Sequence, residues 1–345
     1  MSVRLENEFQ VDLRVVPKKS FGAALQYFTG SKDHNVVVRG RAKQMGLRVN
    51  EWGVYDTSGD DEKWIAGKTE SDVYKALKLP YFEPEIREAR REMEWAENDE
   101  LPKLIEVGDI VGDLHMHTTA TDGKNSIEEM ADGARERGLK FICITDHSKR
   151  VSMANGLDGK RLLAQWKEID KINKASEDDF VILKGIECDI LEAGGMDLED
   201  KVLAKADFVI ASVHYGQNQS RQQLTDRIVG AIENPHVSMV AHPTGRLLNK
   251  RNPYDVDMEA VFQAAKANSK LMELNANPIR LDLNDVHLLK AKTMGIPIVI
   301  NTDAHRVAGL DNMGYGVKQA RRGCLTASDV ANTRDWKKMK KMIGK

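Results

Sequence analysis

The chain has 345 residues, of which 41% are hydrophobic and 30% charged, and its formal net charge is −2. A chain of this length can bury a large core, and we expect two domains of very unequal size. No run of about 18 apolar residues occurs and the N-terminus is charged, which argues against a membrane span and a signal peptide. The three cysteines lack both CxxC spacing and an even count, so neither a disulfide framework nor a thiolate zinc site is expected. We therefore expect a soluble, cytoplasmic protein.

The first 80 residues predict a small α+β domain. Residues 3–16 alternate between apolar and polar side chains, which predicts a β-hairpin with its turn near Asn7. Residues 19–46 have a helical pattern, the segment LRVNEWGVYD predicts one further strand, and SDVYKALKL predicts a helix with Ser71 as N-cap. Residues 1–50 hold nine Lys and Arg against four Asp and Glu, so any contact with a polyanion would be local.

A charged segment over residues 81–107, with helical character, predicts a linker to a second domain at 108–345. That domain repeats a strand-then-helix pattern, with predicted strands in DIVGDLHMH, FICITDH, FVILKGIECDI, FVIASVH, SMVAHP, LMELNA and IPIVINTDAH. Amphipathic helices are predicted between them, as in SIEEMADGARERG and MEAVFQAAKAN. Alternating strands and helices indicate a parallel sheet, and about seven such units favour a distorted (β/α)7 barrel.

Ionisable side chains follow these predicted strands where each strand ends. In chain order they are His115, His117, His147, Glu187, His214, His242, Asp303 and His305. Because barrel enzymes place their sites at the C-terminal ends of strands, we expect these side chains to converge, with Asp122 joining from the first loop. The alternation in HMH directs both imidazoles to one face of a strand, as chelation of one ion requires.

A single histidine at a strand end is more often an ordinary hydrogen-bonded residue than a ligand, and His34, His236 and His287 are interpreted in that way. Six of the nine histidines, however, lie at predicted strand ends. So many imidazoles and carboxylates at one rim would be costly through desolvation and mutual repulsion unless cations bind among them. The sequence therefore predicts a metal site.

The segments GDLHMHTTATDG, ITDH, GIECDIL, ASVH, AHPTGR and NTDAH resemble, in order and spacing, the motifs of the polymerase and histidinol phosphatase (PHP) domain. The likeness runs from about Leu101 to the end, and is greatest to the copy at the C-terminus of bacterial family-X DNA polymerases. It implies catalytic roles for His115, His117, His147, Glu187 and Asp303. It also implies three divalent ions: one bound by His115, His117, Glu187 and Asp303, one by Glu187, His214 and His242, and one by Asp122, His147 and His305.

Metal identity stays open between manganese and zinc. Many members of the family have histidine where this chain has Asp122, and a carboxylate favours a harder ion such as manganese. Clustered cations suit the hydrolysis of phosphate esters. The residues that we expect to bind substrate phosphate are Arg246, Arg306, Lys149 and Arg280, with Lys250 and Arg251 in the same loop set, although any of them could be surface charge.

Residues 2–80 resemble the end of the palm and the thumb of family-X polymerases. Asp12 matches the third catalytic carboxylate of that family, and the nucleotide-binding turn is matched by Tyr27, Phe28, Gly30 and Ser31. The paired Asp-x-Asp carboxylates and the front of the palm are expected to precede Met1, so this chain alone should not polymerise DNA. Either an upstream polymerase half supplies them, or the segment is a remnant that has no function or that guides DNA ends to the barrel.

Three classes of function compete. The first is a 3′-5′ exonuclease or 3′-end processing nuclease acting on DNA in repair, which the thumb likeness favours. The second is a phosphatase of a small phosphomonoester, and the third is a non-catalytic DNA-end or polymerase-binding module with structural metals. The complete set of predicted ligands argues against the third, and an upstream polymerase half would instead make the chain part of a split polymerase.

Overall fold

The computed structural model describes Met1–Gly344, and the chain divides into two compact units between Pro102 and Lys103. Each unit has its own secondary structure and is described by itself. Within the described residues, no helix combines the length and the apolar character that a membrane crossing would need.

The first unit is a small α+β domain. Its elements are β1 (Ser2–Arg4), β2 (Gln10–Asp12), α1 (Phe21–Phe28), α2 (Lys32–Gln44), β3 (Leu47–Asn50), β4 (Gly53–Asp56), β5 (Lys63–Ala66), α3 (Glu70–Ala76) and α4 (Glu92–Glu97). Strands β1 and β2 form an antiparallel hairpin, and β3, β4 and β5 form a three-stranded antiparallel sheet. Short 3₁₀ turns lie at Lys18–Ser20 and Pro84–Ile86.

Two local predictions for this unit were wrong. The segment LRVNEWGVYD is a hairpin and not one strand, because Asn50 pairs with Gly53 across a two-residue turn. Helix α3 begins two residues earlier than predicted, because its N-cap is Thr69 and not Ser71. The Thr69 hydroxyl accepts from the amide of Asp72, whose carboxylate accepts from the Thr69 amide, so the two residues form a capping box.

The second unit contains seven parallel strands and eight helices among the described residues. They are β6 (Gly112–Asp113), α5 (Ile127–Glu136), β7 (Phe141–Ile144), α6 (Gly159–Ala175), β8 (Val181–Asp189), α7 (Asp200–Leu203), β9 (Phe208–Ser212), α8 (Arg221–Glu233), β10 (Met239–Val240), α9 (Met258–Ala267), β11 (Leu271–Asn275), α10 (Asp285–Met294), β12 (Ile298–Asn301), α11 (Met313–Arg322) and α12 (Trp336–Met342). The strands are paired in chain order from β6 to β12. The predicted (β/α)7 barrel is confirmed.

Side chains from the barrel strands fill its interior and form a closed lower layer. The residues of this cluster include Leu114, Phe141, Cys143, Leu183, Phe208, Ile210, Met239, Leu271 and Val299. Met339 and the partly buried Trp336 of α12 pack against the same cluster. The barrel is therefore a packed core at this level, and a site is expected at the C-terminal ends of its strands.

A seam between β6 and β12 closes the barrel, and side chains supply much of its hydrogen bonding. The Leu114 amide donates to Asn301 Oδ1 at 3.0 Å, and the Thr302 hydroxyl donates to Asp113 Oδ2 at 2.5 Å. Nearby, the buried Asn332 amide nitrogen donates to the carbonyls of Gly112 and Ile300, at 2.7 Å each, and its oxygen accepts from the Ile300 amide. Asn332 thus satisfies backbone groups of Gly112 in β6 and of Ile300 in β12, and so bridges the two strands.

We predict that Asn332→Ala lowers the free energy of unfolding by about 3 kcal/mol, because it leaves three buried backbone groups without partners. Urea unfolding followed by circular dichroism measures this loss. The matched control is Asn268→Ala, which removes an exposed side-chain bond to the Ala264 carbonyl and should cost less than about 0.5 kcal/mol. Equal losses in the two variants would mean that Asn332 does not bridge the seam.

Candidate metal centre

The barrel brings together all nine residues that the sequence predicts as metal ligands. Most of them are buried, and the most accessible are Asp122 and His305, whose side chains are each 37% exposed. His242 Nε2 lies 3.0 Å from Glu187 Oε1, and the ligand atoms of the other eight residues form three compact groups, within each of which the atoms lie within 4.8 Å of one another. The groups are His117, Asp122, His147 and His305; His115, His117 and Asp303; and His147, Glu187 and His214.

Glu187 lies at the middle of this arrangement. It follows the apolar part of β8, is only 1% exposed, and faces five imidazoles. The nearest nitrogen of each imidazole lies 2.8–3.6 Å from a Glu187 oxygen, and the five are those of His115, His117, His147, His214 and His242. Oε2 faces the first three histidines and Oε1 the other two, so the carboxylate has the geometry of a shared ligand.

Carboxylates behind the histidines fix the orientation of two rings. His115 Nδ1 lies 2.7 Å from Oε1 of the fully buried Glu273, and His214 Nδ1 lies 3.1 Å from Oδ1 of Asp189. A proton held on Nδ1 by each carboxylate leaves Nε2 free to act as a ligand. Glu273 also accepts from the His242 amide at 2.7 Å, so one carboxylate positions two predicted ligands.

The electrostatics of the cluster favour ionised carboxylates. Burial opposes the charge of Glu187, but the surrounding histidines outweigh it and hold the pKa of the carboxyl well below its usual range. Asp303 is buried and has a lowered pKa because of His115 and His117. Burial, together with neighbouring imidazoles, lowers the pKa of His117 to about 4, so this ring is neutral and can ligate at physiological pH.

Several polar atoms of the cluster are buried without a hydrogen-bond partner. They are His115 Nε2, His117 Nδ1, Asp122 Oδ1, His147 Nδ1 and Glu187 Oε2. Buried polar atoms are rarely left unpaired, because each costs about 1–3 kcal/mol. His147 Nδ1 and Glu187 Oε2 approach to 2.8 Å without hydrogen-bond geometry. Imidazole nitrogens and carboxylate oxygens are the donors that zinc and manganese take, so the residues present fit divalent ions.

Two predicted ligands have left-handed backbones. His242 has φ 29° and Asp303 has φ 52°, a region that residues other than glycine seldom adopt. Each is held there by neighbours: the His242 amide donates to Glu273, and Asp303 Oδ2 accepts from Asn275 Nδ2 at 3.1 Å. Such strained positions cluster at functional sites, where the surrounding structure fixes them.

The cluster forms the floor of a cavity of about 320 Å³. Of the four predicted phosphate-binding residues, only Arg280 lines it, with Nε 3.6 Å from Asp303 Oδ2. The structure does not bring the other three into the cavity. The Arg246 guanidinium instead donates to the carbonyls of Arg280 and Leu281, and the side chains of Arg306 and Lys149 are exposed outside the lining.

In the first unit, the predicted nucleotide-binding residues lie at the junction of α1 and α2. They are Tyr27, Phe28, Gly30 and Ser31. Gly30 has φ 96°, and a Cβ there would lie 2.6 Å from the Cβ of Arg87, so the turn requires glycine. The Ser31 hydroxyl caps α2 by accepting from the His34 amide. Asp12 lies on exposed β2, where Gln10 donates to its carboxylate.

Sequence reasoning missed three buried carboxylates near the cluster: Glu273, Asp189 and Asp146. Glu273 and Asp189 position histidines, and Asp146 accepts from Thr118, Thr121 and Gln165 beneath the first loop. A signal was present for Glu273, because it is a charged residue inside the apolar run LMELNA. Its alternation with Asn275 places both side chains on one face of β11.

The chain is similar to known proteins in both of its units. Residues 24–88 match the family model for the DNA polymerase beta thumb, and residues 113–277 match that for the PHP domain. The chain is 45% identical, over 96% of its length, to the Bacillus subtilis (strain 168) protein named DNA polymerase/3′-5′ exonuclease PolX, and spans 57% of that protein. It is also 30% identical, over 65% of its length, to a Thermoanaerobacter sp. (strain X514) protein named as a probable phosphatase, and spans 91% of it.

A solved structure of histidinol phosphate phosphatase from Lactococcus lactis, with zinc, L-histidinol and phosphate, is 17% identical and has a TM-score of 0.43. That match covers 61% of this chain and 93% of the other. The chain belongs to the PHP family, with a polymerase-β thumb domain ahead of its PHP domain, and it is a metal-dependent phosphoesterase.

We predict that Glu273→Gln weakens metal binding about 10- to 100-fold, because the amide no longer holds the proton on His115 Nδ1 as a carboxylate does. Manganese titration of metal-stripped protein by calorimetry measures the affinity. The control is Glu259→Gln on helix α9, whose carboxylate pairs with exposed Lys290. If Glu273→Gln binds manganese as tightly as that control, the carboxylate does not support the site.

Proposed function

We propose that the chain removes nucleotides, or blocking groups, from the 3′ ends of DNA as a metal-dependent nuclease. The observation that carries this proposal is the presence, in one chain, of two features: eight grouped donor residues with His242 beside them at the mouth of a barrel, and a polymerase-β thumb domain. A thumb contributes nothing to the hydrolysis of a small metabolite, whereas contact with a DNA backbone would give the phosphoesterase its substrate.

The predicted ligand sets assign the residues of the cluster to three ions. Glu187 would be shared between two ions, the first held also by His115, His117 and Asp303, and the second by His214 and His242. Asp122, His147 and His305 would hold a third, and manganese or zinc fits the donor set. Divalent ions in such a site neutralise phosphate charge and acidify water, which provides a nucleophile at neutral pH.

Arg280 would bind a non-bridging phosphate oxygen. Its side chain is 18% exposed, it lines the cavity beside Asp303, and a guanidinium can donate two parallel hydrogen bonds to a phosphate. Burial of the surrounding wall strengthens this interaction relative to one in open water. Arg246 would act indirectly, because its bonds to the Arg280 and Leu281 carbonyls fix the loop that carries Arg280.

A second candidate is a phosphatase of a small phosphomonoester. It is favoured by the relative that is named as a probable phosphatase and of which this chain spans 91%. A cavity of about 320 Å³ also accommodates a small ester. The two candidates share the metal centre and the reaction at phosphorus, and they differ in whether the substrate extends beyond the cavity.

DNA is the proposed macromolecular partner. Contact with it through the first unit is supported by the thumb match over residues 24–88. Polymerisation by this chain alone lies outside the proposal, because Asp12 is a single carboxylate and two-metal phosphoryl transfer needs more. An upstream polymerase half stays a second proposed partner.

The deciding experiment is hydrolysis of a 5′-labelled DNA oligonucleotide beside p-nitrophenyl phosphate, with manganese and then with zinc. We expect a ladder of 3′-shortened products that EDTA abolishes, and a loss of more than about 100-fold in His115→Ala, because this ring is a predicted ligand buried beside Glu187. His236→Ala, outside the cluster, is the matched control. Turnover of the monoester alone would favour the phosphatase candidate.

We predict that Arg280→Ala lowers kcat/KM for the oligonucleotide about 10- to 100-fold, because charge-assisted hydrogen bonds to the phosphate are lost. Arg280→Lys should recover part of the loss, since it retains the charge but not the fork geometry. Steady-state kinetics measure both variants. Arg306→Ala is the comparison, and a greater loss there than in Arg280→Ala would mean that the phosphate lies outside the cavity.

A further inference from the structure

The cavity above the metal centre has one apolar side. Most of its lining is ionisable: Asp122, His147, Glu187, His214, His242, Arg280, Asp303 and His305. The remaining lining residues, Val151, Met153 and Ala154, all belong to the segment that follows His147. Phosphate and cations are attracted to the ionisable side, so the organic group of an ester is directed towards the apolar side.

Met153 is the member of this apolar side that faces water. Met153 is 91% exposed, whereas Val151 and Ala154 are buried, with 8% and 6% of their surface exposed. Single exposed apolar residues are common on protein surfaces. Met153, however, lies at the rim of a cavity that a substrate must enter, so a bound group that covers it gains the free energy of removing its surface from water.

The backbone position of Met153 is fixed by its turn. Ser152–Ala154 form a 3₁₀ turn, the Val151 amide donates to the Ser148 carbonyl at 3.0 Å, and the Gly156 amide donates back to the Val151 carbonyl at 3.1 Å. The Leu157 amide then donates to the carbonyl of His147 at 2.7 Å, which ties the turn to a predicted ligand. A fixed turn of this kind lowers the entropy that binding would cost.

The charged group of the nearby Arg150 is paired with other residues and not with Met153. The Arg150 guanidinium pairs with Glu192 and lies 4.7 Å from the centroid of the Tyr215 ring. Its amide donates to Asp197 Oδ2 at 2.7 Å, which also anchors the start of the turn. The rim at Met153 therefore presents a thioether and methylene groups, which suit the flat face of an aromatic ring.

We propose that Met153 packs against the nucleobase of the 3′-terminal nucleotide while its phosphate is held over the metal centre. The residue would then determine specificity by distinguishing a nucleotide from an ester without a base. This inference rests on the proposed nuclease function, and it adds to that function the recognition of the base. The contact requires no hydrogen bond to the base, so all four bases should be accepted.

The test compares two 5′-labelled oligonucleotides that differ only in the 3′-terminal residue, either deoxyadenosine or its abasic tetrahydrofuran analogue. The measured quantity is the ratio of kcat/KM for removal of the two terminal residues. We expect the wild-type protein to prefer the base, and Met153→Ala to reduce that preference about two- to tenfold through KM. Met153→Leu should keep most of it, and the surface control is Val286→Ala, at an exposed position of α10.

An unchanged ratio in Met153→Ala would overturn the inference, as would an equal loss on both oligonucleotides, since that indicates a structural role for the turn. A wild-type ratio of one would also overturn it. If the wild-type protein cleaves neither oligonucleotide but hydrolyses p-nitrophenyl phosphate, the nuclease proposal itself fails and the inference fails with it. The two failures are thus distinguishable in one set of assays.

Discussion

The whole centre depends on one buried carboxylate. Glu187 is almost inaccessible to water and has five imidazoles within 3.6 Å, each arriving from the end of a strand or the loop after it. A carboxylate in this position stays ionised only if positive charge or hydrogen-bond donors replace its lost water. Because a slip of one residue in any strand would turn its side chain to the other face, the strand register of the barrel is a condition for the site.

The convergence of the metal-ligand residues could be predicted from the sequence because all of them except Asp122 lie at or just after the end of an apolar strand, where a polar side chain is conspicuous. The role of the supporting carboxylates could not be predicted, because neither the position of Glu273 in an apolar run nor that of Asp189 indicates which histidine each one contacts. Arg246 follows a ligand motif, yet its guanidinium donates to backbone carbonyls that lie 34 and 35 residues later in the chain. The path of the loop that carries these carbonyls determines which groups Arg246 contacts, and this path cannot be deduced from the sequence around Arg246.

In the first unit, too, local sequence did not predict every element and contact. Its β3–β4 hairpin turns through Glu51 and Trp52, a pair without the asparagine or aspartate signals of tight turns, so one strand was predicted where two exist. His34, predicted as an ordinary residue, lies buried between Glu92 and Tyr74 at 2.8 and 2.9 Å. An isolated buried histidine is satisfied by hydrogen bonds of this kind. The sequence distinguished His34 from the clustered histidines only by its position outside the strand ends.

The seam of the barrel has a consequence for how the centre responds to its ions. His115 and His117 follow β6, Asp303 and His305 follow β12, and the His117 amide joins the two sides by donating to the Ala304 carbonyl at 2.8 Å. A cation ligated from both sides would oppose local opening there, by an amount set by its affinity and concentration. Amide exchange along this line would then slow as the ions bind, so the same short stretch that closes the barrel would report its occupancy.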